Sequence, residues 1–515
     1  MNEKKKSKKK IVIIIISILI VITILAGVFF YLENNKNKTK NNTSKETTNE
    51  LKESAYRLSG NSLENFDLHF LQLENEKANK IYSPLSIKYA LAMLNEGADG
   101  HTKAQIESLI GDYKGKKYIN SANMSFANAI FIRNSFKDSV KEKYTNNLKD
   151  KYNAEVIYDS FNSPDNINNW VSNKTFNLIN NLFDDVSGQD FVLVNALAID
   201  MEWNKFIQAT TETYKNQYNV SYQHENFSSY VPLIQDDNYS VIDFDNNTKK
   251  AKTVEIGAAI NNYDIINTLG EENIRNTVKA EYEKWLASGG CGGNEEDPDT
   301  YVNKYINELA SNYKKYEAST DFTFYDDENI KVFAKDLKEY NDTTLQYIGI
   351  MPKNISLDNY IENTDATEIN NIINNLKEIK PENFKEGVIT KIVGNIPLFK
   401  FDYELDLVND LKELGITDVF DSNKADLSGI TDNKGATINK ATHKANIEFS
   451  NEGIKAAAVS TLGGFGGAGC GFVYNYDVPV ETIDLTFNNP YLFLIRDKDT
   501  GEVWFIGTVY EPISE

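Results

Sequence analysis

KATHKANIEFSNEGIKAAAVSTLGGFGGAGCGFVYNY, residues 440–476, is the stretch on which the reading of the fold turns. Ala445, Ile447 and Phe449 alternate with polar residues, the period-two pattern of a half-buried strand. The alternation stops at Asn451. Small residues follow from Gly453 to Ser460, and then six glycines lie within Gly463–Gly471. Glycine widens the accessible backbone space and buries no side chain, which suits an exposed loop. A solvent linker would be polar throughout, but Ala456, Ala457, Ala458 and Val459 are small and apolar enough to enter between two strands and stay there. The stretch reads as a strand, a hinge, and an exposed loop able to become a strand.

This segment resembles the hinge and reactive-centre loop of the serpins, protease inhibitors whose cleaved loop inserts into a β-sheet. KATHKA, 440–445, is similar to the strand that precedes the hinge in that family. YSPLSIKYALAMLNEGADGHTKAQI, 82–106, resembles the helix beneath the central sheet. From the residues alone it is a capped core helix, with Ser83 at the cap, Pro84 in the first turn and Ile87, Ala90, Leu91 and Leu94 at helical spacing. The resemblance places Ser83 and Ser86 under the point where the sheet parts. MSFANAIF, 124–131, resembles a strand of that sheet, and 167–183 the helix across its front. FVLVNALAIDMEWNKF, 191–206, reads as one long buried strand. In it Asn195 and Trp203 match a polar residue of the sheet opening and the tryptophan at the sheet top, and His443 is the implied partner of Asn195. LQYIGIMP at 345–352, the helix through Ile369 to Leu376, GNIPLFKFDYELDLVNDLKELGITDVF at 394–420, ADLSGI at 425–430 and the strand–turn–strand run 487–512 fit the same family.

The resemblance implies an α+β fold with a large, mostly antiparallel central sheet A, sheets B and C, and about eight to nine helices. It lapses over 236–334. There Ile274, Val278, Tyr282 and Trp285 form one apolar stripe and Val302, Tyr305, Ile306, Leu309 and Tyr313 another, with ASGGCGGNEEDPD between them. That pattern predicts an inserted helical hairpin with Cys291 at its tip, long enough to stand clear of the domain surface.

The 515 residues, 41% hydrophobic and 25% charged, have a globular composition. The formal charge of -21 argues against a nucleic-acid partner, since phosphate binding needs a basic face. Six lysines lie within Lys4–Lys10; without them and Glu3, 48 Lys+Arg face 74 Asp+Glu. Residues 11–32 carry no charge until Glu33, enough to span a bilayer, and the basic flank stays cytoplasmic. The expectation is a cytoplasmic tail (1–10), a transmembrane anchor (11–32), a polar tether (33–55) and an extracellular domain (56–515) on the cell membrane, with a cleaved signal peptide as the competing reading.

For a serpin the implied activity is suicide inhibition of a serine or cysteine protease. From Gly453, alternation puts Ile454, Ala456, Ala458 and Ser460 on the face to be buried and Lys455, Ala457 and Val459 outside. No charge is buried, so the hinge Glu452–Ser460 reads as inhibitory, although Asn451 stands where the family has a glutamate. Counting forward from the hinge puts the reactive bond at Gly467–Ala468. Counting back from Phe487 puts it near Asn475, with Phe472 or Tyr474 as bait. Cys291 and Cys470 are either bonded to each other or two separate thiols. No cofactor or metal is expected, and a monomer is. Enzyme readings are weak: Cys470 with His443 has no fixed geometry, and only His69, His101 and His224 remain for a zinc site. The rival function is a non-inhibitory serpin-fold binding or adhesion protein.

Overall fold

The computed structural model describes residues 62–111, 113–204, 220–222, 225–226, 240–292, 295–318, 321–438, 440–450, 453–454, 472, 474 and 476–514. The tail, apolar stretch and tether of residues 1–55 lie outside them. Among the described residues no helix is long and apolar enough to cross a membrane.

A seven-stranded antiparallel sheet runs in the order Lys80–Tyr82, Val503–Val509, Tyr491–Asp497, Leu345–Pro352, Ile330–Asp336, Thr323–Asp326, Lys377–Glu378. Leu345–Pro352 is buried along its whole length because both faces of the sheet are covered. On one face lie the helices Asn65–Leu73, Pro84–Asn95, Gly100–Ile110 and Ala366–Asn374, which share a core with Val332, Ile348, Leu494 and Ile506. On the other, Tyr347, Phe493 and Phe505 pack against Met124, Leu197, Phe399, Ala445, Ile447 and Phe449 of the central sheet. The alternation in 440–449 thus does what its period requires, with Ala445, Ile447 and Phe449 buried. The ADLSGI motif has a packing reason at its glycine: a Cβ on Gly429 would meet the Gly97 carbonyl oxygen at 2.6 Å.

The central sheet is in two parts. Glu155–Asp159, Met124–Arg133 and Phe191–Ile199 form one; Phe399–Asp406, Thr442–Phe449, Gly453–Ile454 and Met201–Glu202 form the other. The long strand expected over 191–206 is interrupted at Asp200, whose N–H is taken by the Asn123 carbonyl (2.7 Å), and Met201–Glu202 belongs to the second part.

Three further expectations are corrected. The helix in front of the sheet spans Asp165–Lys174 and not 167–183, because Phe176 and Asn177 take left-handed backbone (φ 53° and 60°); the rest of the segment returns Ile179 and Phe183 to the sheet. The inserted region is shorter than 236–334. Lys249–Asn261 and Lys315–Ala318 are direct antiparallel partners, Lys315 opposite Asn261, so the chain leaves this sheet at 261 and rejoins it at 315. Its flanks are strands, and the excursion holds the helices Ile265–Leu269, Glu271–Ala287 and Pro298–Asn312, three of eleven α-helices among the described residues. Nor does the hairpin stand clear: Ile274, Val278, Val302, Tyr305, Ile306 and Leu309 share a core with Ala259 and Ile389 of the sheet and with Val478.

Candidate functional site: a slot in the central sheet

Phe191–Ile199 and Thr442–Phe449 face each other without a hydrogen-bonded ladder between them, and among the described residues the two sheet parts carry no strand pairing below the level of Met201. The gap is floored by the helix Pro84–Asn95. That helix starts where its sequence says it should: Ser83 Oγ accepts the Ser86 N–H (3.1 Å), and Pro84 sits in the first turn. A cavity of about 110 Å³ lies in the gap, lined by Ser83, Ser86, Asn195 and His443 among apolar neighbours that include Leu91, Val194 and Phe505.

The polar groups in this cavity are half satisfied. The Ser83 N–H donates to His443 Nε2 (2.9 Å), bridging helix and strand. Asn195 does not reach His443; its Nδ2 donates to Asn128 Oδ1 (2.7 Å) on the adjoining strand. Asn195 Oδ1 and Ser86 Oγ are buried with no hydrogen-bond partner, a cost on the order of 1 to 3 kcal/mol each. A strand entering the gap would bring the backbone donors and acceptors this set lacks.

Burial holds the His443 imidazole down at about 4, from an ordinary 6.5. Its contribution is therefore whole above pH 6.5 and is lost as the pH falls through that window toward 4, because the unfolded chain takes up the proton first. Protonated Nε2 also cannot accept from Ser83. Between pH 6.5 and 5 the loss expected from this group is about 2 kcal/mol. Urea unfolding at the two pH values should show it in the wild type and not in His443→Gln, which keeps an acceptor without a titrating ring. Equal pH slopes in the two proteins would remove His443 from the account.

At the top of the gap the hinge is already seated. Gly453–Ile454 pairs with Phe449 on one side and with Met201 and Glu202 on the other. A Cβ on Gly453 would lie 2.3 Å from the Met201 carbonyl oxygen and 2.8 Å from the Glu202 Cα, backbone atoms that cannot turn away. Gly453→Ala should therefore expel the hinge, and faster amide exchange at Phe449, Met201 and Glu202 would report it. Trp203, almost wholly buried, donates from Nε1 to the Ser450 carbonyl (2.9 Å) and packs on Phe449 and Tyr347. Ser450 closes the turn, with its N–H donating to the Gly453 carbonyl (3.0 Å).

The other candidate residues divide. Glu452, Lys455, Ala456, Ala457, Ala458, Val459, Ser460, the Gly467–Ala468 bond and Asn475 lie outside the described residues, and so does Cys470. Cys291 is disulfide-bonded, and Cys470 is the chain's one other cysteine. Phe472 and Tyr474, read from the sequence as alternative baits, are half-buried on the inserted helices.

One buried group escaped the sequence reading. Lys88, two residues beyond Ser86 on the same helix, is completely buried with its ammonium 2.8 Å from Asp67, 3.0 Å from Glu502 and 3.3 Å from Glu64. The available signal was its place on the inner side of the helix, between Leu85 and Leu91.

Comparison with known proteins agrees with this geometry. The family model for serpins, serine protease inhibitors, matches residues 64–263 and 315–512, leaving the helical excursion unmatched. An uncharacterized serpin-like protein of Methanosarcina acetivorans is 24% identical over 478 residues, covering 88% of this chain and 86% of its own. Neuroserpin of Gallus gallus is 38% identical over 122 residues, only 27% of its own length. The native state of the thermophilic serpin tengpin superposes with a TM-score of 0.58 at 21% identity, covering 91% of this chain and 96% of that one. A family match over most of the chain, around a sheet parted above a serine-capped helix with a hinge glycine at its top, makes this protein a member of the serpin family.

Proposed function

We propose that this chain is a suicide-type protease inhibitor that traps its target as an acyl-enzyme. The observation that carries the reading is the unfilled slot between Phe191–Ile199 and Thr442–Phe449 with Gly453–Ile454 paired at its upper end. In the proposed sequence the protease's serine hydroxyl or cysteine thiol attacks the carbonyl carbon before the reactive bond, at Gly467 by the forward count. The C–N bond to Ala468 breaks, its nitrogen takes the proton and leaves as a new amine terminus, and an ester or thioester links enzyme and loop. The freed arm then zips downward from the hinge before water completes hydrolysis, carrying the enzyme with it. The site for this lies on the outer face of a cell membrane if residues 11–32 act as the anchor their sequence suggests.

The test is incubation of the purified chain with serine and cysteine proteases, followed by reducing, denaturing electrophoresis. A detergent-stable adduct with the mass of protease plus the chain truncated at the reactive bond is the expected result. The glycine run 463–471 favours a second reading, a non-inhibitory binding protein, because each glycine weakens an inserting strand by roughly 0.5 to 1 kcal/mol. A cut loop beside fully active protease, across a broad panel, would select it.

A further inference from the structure

We infer that the helical excursion between Asn261 and Lys315 selects which bonds of the loop a protease can use, by withholding the aromatic bonds after Phe472 and Tyr474. This rests on the loop being the bait, and adds where the bait lies. Phe472 sits in an aromatic box, its ring centroid 5.2 Å from Tyr282, 5.5 Å from Tyr301 and 5.8 Å from Trp285, with Tyr282 and Tyr301 stacked at 4.1 Å. A protease cutting after Phe472 must take that ring into its primary pocket, and so must first empty the box.

The backbone is held as well. Tyr301 Oη donates to the Phe472 carbonyl (3.1 Å) and Tyr305 Oη to the Tyr474 carbonyl (3.0 Å). These are the two carbonyl groups that attack after Phe472 or after Tyr474 would have to polarise, and a protease requires each oxygen in its own oxyanion hole. Beyond them Tyr476–Asp477 is paired as a strand with Val220–Tyr222. Cys291 at the hairpin tip is disulfide-bonded, and a bond to Cys470, the chain's one other cysteine, would tie the same limb to that tip. What is left for attack is N-terminal to Cys470, where the residues are small apart from Leu462 and Phe465. The target protease is accordingly one whose primary pocket accepts a small residue, or Leu462 or Phe465. The held limb stays behind when the other arm inserts.

Phe465 supplies an internal control, since an aromatic-preferring serine protease recognises both Phe465–Gly466 and Phe472–Val473. The experiment exposes the full chain to such a protease in limiting amount and follows the two bonds by mass spectrometry. Cutting after Phe472 is expected at least about tenfold slower than after Phe465, since local opening of several ring contacts must precede it. In Tyr282→Ala/Tyr301→Phe that ratio should rise at least about tenfold. Tyr305→Phe, which keeps its ring, should speed cleavage after Tyr474 while leaving Phe472 protected. Equal cutting at the two phenylalanines in the wild type, or a ratio that the variants do not move, overturns the inference. The readout needs no trapped protease, so a failure of inhibition and a failure of bond selection are seen separately.

Discussion

Nicking the loop between Ser460 and Cys470 is expected to raise the melting temperature by about 10 °C or more. Ladder formation alone does not drive insertion, because the hydrogen-bond gain of about 0.5 to 1.5 kcal/mol per residue is met by a backbone-ordering cost of about 1 to 2 kcal/mol. The drive comes from the slot itself. Filling a cavity of about 110 Å³ recovers roughly 2 to 3 kcal/mol, and pairing Asn195 Oδ1 and Ser86 Oγ recovers about 1 to 3 kcal/mol each. Burial of Ala456 and Ala458 and closure of the parted sheet add to this, against the weakening that the glycines of the arm bring. Ala458→Glu should abolish the effect, because a carboxylate with no cation beside it would have to enter the sheet. Thermal unfolding of both proteins, before and after nicking by a protease that prefers small residues, measures it, and the variant's adduct band should give way to cut chain. An unchanged melting temperature for nicked wild type would leave the molecule without a spring.

The parts of this mechanism differ in how far the sequence discloses them, and the reason is physical. Alternation at Ala445, Ile447 and Phe449, the Ser83–Pro84 cap and the stripes Ile274–Val278–Tyr282 and Val302–Ile306–Leu309 are local periodicities, so each announces its own element and buried face. Whether two strands are paired is not local. Phe191–Ile199 and Thr442–Phe449 would have the same sequence in a closed sheet or a parted one, and the choice of Asn128 over His443 by Asn195 follows from the parting. The sequence pattern overstates the inserted region because Lys249–Asn261 opens with KKAKT, which reads as surface although the far end of the same strand, Ala258–Asn261, pairs with Lys315–Ala318. Phe472 follows Gly471, with Tyr474 two residues further on, so both read as exposed bait, and only the tertiary fold brings Tyr301 and Tyr305 to their carbonyls.

Lys88→Met should be the most damaging single substitution outside the loop, and its pH dependence identifies the cause. Burial opposes the Lys88 charge, but Asp67, Glu502 and Glu64 together hold the ammonium protonated beyond the usual lysine range. Three carboxyls around one cation leave negative charge over, and burial pushes Asp67 up to about 7 against the pull of Lys88. Methionine fills the volume but strands the carboxylates, and breaking a buried pair in this way costs about 3 to 5 kcal/mol. A carboxyl raised above its unfolded value gives stability that is whole below about 3.8 and is lost as the pH rises through its folded value. Without Lys88 the Asp67 carboxyl rises further, so the deficit of the variant should be large at pH 8 and shrink at pH 5. His443 slopes the other way in that window, but it is common to both proteins and cancels in their difference. An equal deficit at both pH values would assign the loss to packing and not to charge. The consequence reaches the slot, because Asp67, Lys88 and Glu502 fasten together the helix Asn65–Leu73, the helix whose first turn carries Ser86, and the start of Val503–Val509. With that fastening gone, the floor under Asn195 and His443 loosens, and the intact loop should insert uncut on warming, seen as loss of trapping activity without cleavage.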